Sequence, residues 1–368
     1  MTRTSPPFRA DHVGSLLRPA ALKEARAQRE RGEISAHDLR AAEDAEIERV
    51  IVRQAEIGLR SATDGEFRRA MWHFDFLEHL DGVESFRADH GIAFQGGIET
   101  RAKGLRVTGK VGFSTHPMVE HFRFLRDRTR ATPKMTIPSP SVLHFRGGRR
   151  AIRPDVYPEM EEFYRDLRSA YRDAVKAFAD AGCRYLQLDE VNLAYLCDPE
   201  QRRILRERGD DPDRLPQIYA DMINLAIRDR PADMTITMHL CRGNFRSSWI
   251  AQGGYEPVAE LLFNQIGVDG YFMEFDTDRA GGFDPLRFVP KSKTVVLGLV
   301  TSKTGALESP AELERRIGDA AKCVDLQQLC LSPQCGFAST EEGNLLTEEE
   351  QWAKLARIVE VARTVWGE

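Results

Sequence analysis

The sequence predicts an α/β protein whose strands close into a (β/α)8 TIM barrel, with a β-hairpin-containing insertion after the second strand. Eight short apolar runs alternate with amphipathic helical patterns, as expected for parallel strands joined by helical crossovers. Polar and ionisable residues gather just after these runs, on the face where a barrel carries its chemistry. No Gly-x-Gly-x-x-Gly turn follows any run, which argues against a doubly wound open sheet. The 368 residues, 42% of them hydrophobic, are ample for one large core. With no internal repeat and no low-complexity linker, residues 1–368 are expected to form a single domain, the insertion occupying about 67–132.

In chain order, strands are expected at 10–15, 60–65, 133–138, 184–189, 233–240, 269–275, 294–300 and 327–332. The first long helix spans 35–58: Leu39, Ala42, Ile47, Val50, Ile51 and Ile57 recur near a 3.6-residue period, and Gly58 suits its C-terminal cap. The stretch from 67 to 132 is too long for one crossover. Its alternating, glycine-rich segments at 91–97 and 103–112 read as a hairpin excursion, followed by a helix at 117–126. Further helices are expected at 157–181, 216–228, 257–265, 310–323 and 348–365.

Charge and composition narrow the function. A formal net charge of -5, from 52 basic and 57 acidic residues, argues against a nucleic-acid scaffold, which needs a basic stripe. No apolar run approaches the roughly 20 residues that span a bilayer, and residues 1–7 lack the apolar stretch of a secretory signal. Six irregularly spaced cysteines do not make a disulfide framework. They are expected to be reduced core thiols or metal ligands in a cytoplasmic protein.

The sharpest constellation is His239-x-Cys241, Glu274 and Cys335. Residues two apart on an extended segment face one side, so His239 and Cys241 can grip one ion, while Glu274 and Cys335 end later strands. Two thiolates, an imidazole and a carboxylate suit Zn2+ better than a hard-oxygen ion. Alone, His-x-Cys would read as a core histidine and a buried thiol; four such groups at successive strand ends shift the reading to a metal. Cys183, Cys197, Cys323 and Cys330 keep the reading of inert thiols. A second, acidic group comprises Glu66, Asp189 and Glu190, suited to proton transfer or to holding an ammonium. The basic runs Arg68-Arg69 and 146–153 read either as a hold for an acidic substrate tail or as solvated loop.

His12-Val13-Gly14-Ser15, Asp64-Gly65-Glu66, Leu188-Asp189-Glu190, His239-Leu240-Cys241, Glu274 and Ser332-Pro333-Gln334-Cys335-Gly336-Phe337 together resemble the catalytic half of cobalamin-independent methionine synthase, and most closely its short single-barrel relatives. The resemblance runs from about residue 8 to the C-terminus and implies the barrel fold. It implies a Zn2+ held by His239, Cys241, Glu274 and Cys335, and a metal-bound thiolate of homocysteine that attacks a donor methyl to give methionine. It also implies that Ser15 contacts the substrate carboxylate and that Glu66 and Asp189 hold its amino group. Free thiols ionise near pH 8.5, so a metal is what makes the nucleophile available at neutral pH.

The resemblance has two gaps on the donor side. Lys303, in Thr301-Ser302-Lys303-Thr304, stands where the family has a proton-delivering histidine, and no tryptophan occupies Pro138-Ser139-Pro140-Ser141, where the family stacks the pterin. Lys303 and Asp189 are therefore the expected catalytic side chains, with the donor a methyltetrahydrofolate, a corrinoid or a sulfonium. Two rivals remain: a zinc-thiolate enzyme alkylating another thiol, as epoxide:thiol transferases do, and a non-catalytic zinc- or thiol-binding protein. A sulfonated thiol would want arginines where this sequence offers Glu66 and Asp189.

Overall fold

The computed structural model describes residues 3–367, so the outermost positions of the expected 1–368 domain lie outside the described residues. Its centre is a six-stranded parallel sheet of β1 (Met135–Pro138), β2 (Tyr185–Glu190), β3 (Thr235–Leu240), β4 (Gly270–Glu274), β5 (Thr294–Val300) and β6 (Leu329–Pro333). Spatial neighbours follow chain order, each consecutive pair being joined by a crossover. The residues of β1, β2, β4, β5 and β6 are buried throughout, as a parallel sheet covered on both faces requires.

The covering helices follow their sequence signals. Helix Ala36–Glu56 begins at Ser35, which forms a capping box with Asp38, and Gly58 just beyond it has φ +96°. Helix Met160–Asp180 buries Phe163, Leu167, Tyr171, Ala174 and Phe178 along one stripe and packs against helix Leu215–Ile227. Helices Glu256–Gln265, Pro310–Ala320 and Glu348–Trp366 complete the set expected, and Thr347 and Glu350 cap the last with a second box. Short helices at Ala20–Glu30 and Ser141–Gly147 were not foreseen.

The first two expected strands differ from the reading at 10–15 and 60–65. Only Ser61–Ala62 is extended and paired, with Thr132–Pro133 beside β1, and the 10–15 segment makes a single parallel bridge, Ala10 to Leu331 of β6. The reason is local. The carbonyls of His12, Val13 and Gly14 accept from Lys134 Nζ at 2.6 Å, Gln187 Nε2 at 2.7 Å and Thr63 Oγ1 at 2.6 Å. Side-chain donors have replaced the ladder, so the segment is free to bend toward the site.

Between Ala62 and Thr132 the chain forms an antiparallel ribbon, Asp81–Arg87 with Lys103–Gly112, and a small hairpin, Ala93–Phe94 with Ile98–Glu99. Helix Pro117–Arg126 follows, capped by the His116 imidazole accepting from Met118 N. The hairpin rests on the loop after β3, with Gln95 N donating to Trp249 O at 2.8 Å.

Lys134 is fully buried beneath the sheet's working end, 3.5 Å from Asp11 and 3.9 Å from the centre of the Phe272 ring. Burial drives its ammonium down to about 8, with Asp11 and Asp189 opposing. The folded state therefore binds fewer protons than the unfolded chain between about pH 8 and the ordinary lysine value, and stability from this group rises with pH there. In urea titrations, the midpoint of the wild type should rise relative to that of Lys134→Met as pH moves from about 7.5 to about 9.5; parallel curves would refute this.

Candidate functional site

The site lies at the C-terminal ends of the parallel strands. His239 is the penultimate residue of β3, with Asp189 of β2 directly opposite it in register and Phe272 of β4 on its other side. Cys241 follows two residues later, Glu274 ends β4, and Cys335 lies just past β6. Cys335 reaches the centre because β6 leaves its register with β5 at a bulge beside Gly298. A Cβ on Gly298 would meet Gln334 Cα at 2.6 Å, so only glycine lets the two segments close up.

One ligand atom from each of His239, Cys241, Glu274 and Cys335 falls within 4.8 Å of the others, and all four residues are buried. The two sulfurs are 3.6 Å apart, and among the described residues all six cysteines are free thiols. Neither ring nitrogen of His239 has a hydrogen-bond partner, although the residue is 2% exposed. A buried imidazole left unpaired beside two thiols is costly in an apolar interior unless a cation meets it. The donor set of two sulfurs, a nitrogen and an oxygen fits Zn2+.

The surroundings prepare the carboxylate and the thiols differently. Glu274 accepts from Arg242 N at 2.8 Å and pairs with Arg279 at 3.0 Å. Burial pushes its carboxyl up, but the charges of Arg279 and Lys303 outweigh that and hold it below its ordinary value. The hydrogen bond to Cys335, then burial, push the Cys241 thiol well above its ordinary value. A metal here must therefore displace a proton from sulfur.

Ser15, Glu66 and Asp189 line the same cleft as His239, Cys241 and Cys335. Glu66 sits at φ +60°, an uncommon conformation for a residue with a side chain. Its Oε1 accepts from Thr136 Oγ1 at 2.8 Å and lies 3.4 Å from Arg69, while its Oε2 is buried without a partner. Asp189 Oδ1 accepts from Gln187 Nε2 at 2.7 Å. Burial chiefly, with the Glu66 charge adding and His239 opposing, drives the Asp189 carboxyl up to about 7. Ser15 Oγ abuts Gly336, where a Cβ would lie 2.0 Å away, so the two loops touch only because residue 336 is glycine.

Arg18 holds these loops together. Its guanidinium donates to the carbonyls of Leu16, Ala338, Glu66 and Arg69 at 2.7–3.1 Å, joining the segments that carry Ser15, Glu66 and Cys335.

The structure thus brings together seven of the nine candidate site residues singled out from the sequence. Lys303 is set back: its Nζ donates to Asn244 Oδ1 at 3.1 Å, and it is Asn244 that lines the cleft. Glu190 is turned away, its carboxylate accepting from Ser141 Oγ and from the backbone N–H groups of Asn192 and Leu193. Trp72, His73, Arg146, Tyr195 and Thr340 form a further wall of the cleft. The sequence reading missed them, except that Arg146 opens one of its basic runs; Trp72 and His73 lie in an aromatic stretch, Met71-Trp72-His73-Phe74, that no periodicity marks.

Comparison with known proteins agrees with this architecture. Residues 8–364 match the family described as the catalytic domain of cobalamin-independent synthase. The uncharacterized protein YxjH of Bacillus subtilis (strain 168) is 54% identical over 362 residues, which cover 98% of this chain and 95% of that protein. A crystal structure from Listeria monocytogenes, assigned to the vitamin-B12 independent methionine synthases, superposes with a TM-score of 0.80 at 43% identity over the whole of both chains. A B12-independent methionine synthase from Shewanella sp. W3-18-1, solved with selenomethionine, gives a TM-score of 0.71 at 19% identity over 97% of each chain.

Replacing Arg18 with Met removes a donor from four carbonyls, of which Glu66 and Arg69 keep another, and the expected loss of stability is about 2–6 kcal/mol, roughly 1–3 kcal/mol for each of the two buried carbonyls left unpaired. Arg18→Lys should recover only part, since an ammonium cannot span the fork. Denaturant midpoints of both variants measure this, and an unchanged midpoint for Arg18→Met would contradict the tethering role.

Proposed function

This chain belongs to the family of cobalamin-independent synthase catalytic domains, and we propose that it is a zinc-dependent methyltransferase that methylates the thiol of homocysteine to give methionine. The observation that carries the reading is the convergence of four buried metal-seeking groups at the floor of a cleft whose wall holds two carboxylates. We also read the six-stranded sheet, extended by Ser61–Ala62 at one edge and Ala10 at the other, as a closed (β/α)8 barrel forming one catalytic domain, with the ribbon between Ala62 and Thr132 as its insertion.

In this reading His239, Cys241, Glu274 and Cys335 hold the metal. Bound there, zinc lowers the proton affinity of a coordinated thiol and so supplies a thiolate nucleophile at neutral pH. The protein's own groups do the remaining work. Glu66 Oε2, buried and unpartnered, accepts from the substrate ammonium, and Asp189, fixed by Gln187, accepts from its other side. An ammonium and a metal beside Asp189 both favour its ionised form. Ser15 meets the substrate carboxylate. Lys303, through Asn244, orients the amide that faces the reacting groups. The sulfur–methyl bond forms as the donor–methyl bond breaks, the electron pair staying on the donor atom; with a folate the proton given up by the thiol neutralises the leaving nitrogen, whereas a sulfonium leaves as a neutral thioether and the proton passes to solvent. Enclosing both reactants in one narrow cleft supplies the in-line placement that such a transfer requires.

The acids beside the metal favour an amino-acid thiol over a sulfonated one. The methyl donor comes from among a methyltetrahydrofolate, a corrinoid and a sulfonium. Mass spectrometry of the products formed from homocysteine with each donor tests the whole reading, and the absence of methionine with all three would overturn it.

Elemental analysis should find one zinc per chain and a loss of most of it in Cys335→Ser, because a neutral hydroxyl replaces a thiolate poorly. Wild-type protein that remains zinc-free after reconstitution would contradict this. Glu66→Gln and Asp189→Asn should keep their zinc but bind homocysteine more weakly. Each loses a charge-assisted hydrogen bond worth about 1.5–3 kcal/mol, or roughly ten- to a hundredfold in affinity. Calorimetric titration measures it; loss of zinc with unchanged thiol affinity would reassign both acids.

A further inference from the structure

The cleft has a second polar wall that the amino-acid thiol does not use. Its members are groups able to donate hydrogen bonds that have no acceptor. Tyr195 Oη, Thr340 Oγ1 and both ring nitrogens of His73 are buried without a hydrogen-bond partner, and so is Arg146 Nε. His73 and Tyr195 are each 1% exposed. Arg146 makes no ion pair among the described residues, in a protein where most arginines have a carboxylate beside them. The carboxylates that line the cleft, Glu66 and Asp189, are already assigned to the thiol substrate; Glu78, on this side, is taken by Lys103 at 2.7 Å.

The environment is consistently positive. Burial first, then the nearby charges of Arg146 and Lys103, hold the His73 imidazole well below its ordinary value, so it is neutral at pH 7 and offers one N–H. The Trp72 ring lies tilted by 43° beside that of His73, with centroids 4.5 Å apart, adding an apolar surface beside the donors. Arg146 also lines a second, wider cavity, together with Lys103, Arg106 and Arg150, under the antiparallel ribbon. The guanidinium therefore stands at the junction between the reaction cleft and a basic approach to it.

Buried donors without acceptors, next to an unpaired guanidinium, call for a ligand that brings oxygens and negative charge. Resting on the methyl-transfer reading above, we propose that Arg146, with His73, Tyr195 and Thr340, forms the subsite for the methyl donor and grips an oxyanion, a carboxylate or a phosphate, carried by that donor. The same wall repels a sulfonium that carries no anionic group, whose positive charge would face Arg146 with no anion between them. The run of arginines beginning at 146 thus has a function at its first member, while Arg150 remains exposed at the rim.

The test is donor binding to the zinc-loaded protein, followed by tryptophan fluorescence, which Trp72 reports. The probes are 5-methyltetrahydrofolate, which carries carboxylates, methylcobalamin, which carries a phosphodiester, and trimethylsulfonium as a sulfonium without an anionic group. One of the two oxyanion donors should bind the wild type, and Arg146→Gln should weaken it roughly ten- to a hundredfold, the effect of one charge-assisted hydrogen bond. Arg146→Lys should fall between, and zinc content and homocysteine affinity should be unchanged in both variants. Which donor binds decides between carboxylate and phosphate. Binding of neither, a donor affinity indifferent to Arg146→Gln, or a loss that falls instead on homocysteine or on 2-mercaptoethanesulfonate would each overturn the proposal. Donor binding that depends on Arg146 but yields no methionine would uphold the subsite and refute the methyl-transfer reading, so the two fail separately.

Discussion

The rest of the structure is arranged around one electrostatic constraint: an imidazole, two thiols and a carboxylate must share a buried point at the end of a parallel sheet. Each is costly to bury alone, at about 1–3 kcal/mol for a neutral polar group without a partner and more for a charge. Arg242 and Arg279 meet Glu274 and the thiols meet each other, but the His239 ring is left unpaired, and a cation is the partner that would satisfy the whole group. The fold serves that purpose through register. Asp189, His239 and Phe272 stand side by side across three strands, and the bulge at Gly298 brings Cys335 over the centre. A shift of one residue in β3 would turn His239 to the other face of the sheet and dissolve the site.

The same economy governs the segment before the first long helix. Had residues 10–15 paired as an ordinary strand, Ser15 would continue along the sheet. Instead Lys134, Gln187 and Thr63 satisfy the carbonyls of residues 12–14. Arg18 then ties the following turn to the Glu66 and Cys335 loops. Backbone hydrogen bonding is conserved in number while its geometry is released, and the strained Glu66 at φ +60° is held by this framework and not by its own preference.

Much of this was legible in the residues. Strand β5 occupies 294–300 as expected, because Thr-Val-Val-Leu-Gly-Leu-Val is an unbroken apolar run that suits only a strand buried on both faces. The four metal-seeking residues could be found because ligand chemistry survives in sequence as residue type and strand-end position. The 10–15 segment misled because its pattern is strand-like, and what unmakes the strand are donors 49 to 174 positions away. The setting of Lys303 was not legible for a related reason: its position matches a strand end, and only the fold shows that Asn244, to which it donates, is the residue lining the cleft. The wall of Trp72, His73 and Tyr195 was invisible, since burial without a partner is a property of the folded chain alone.

What results is a cleft with two chemically opposite walls above one metal-seeking floor: acids on one side, donors and a guanidinium on the other. The claim on which both sides rest is that the floor holds zinc through these four residues. X-ray absorption at the zinc edge of the purified protein tests it most directly. The account predicts a first shell of two sulfurs, one imidazole nitrogen and one carboxylate oxygen, changed by loss of one sulfur in any zinc retained by Cys335→Ser. A shell of oxygens alone, or one indifferent to that substitution, would contradict it.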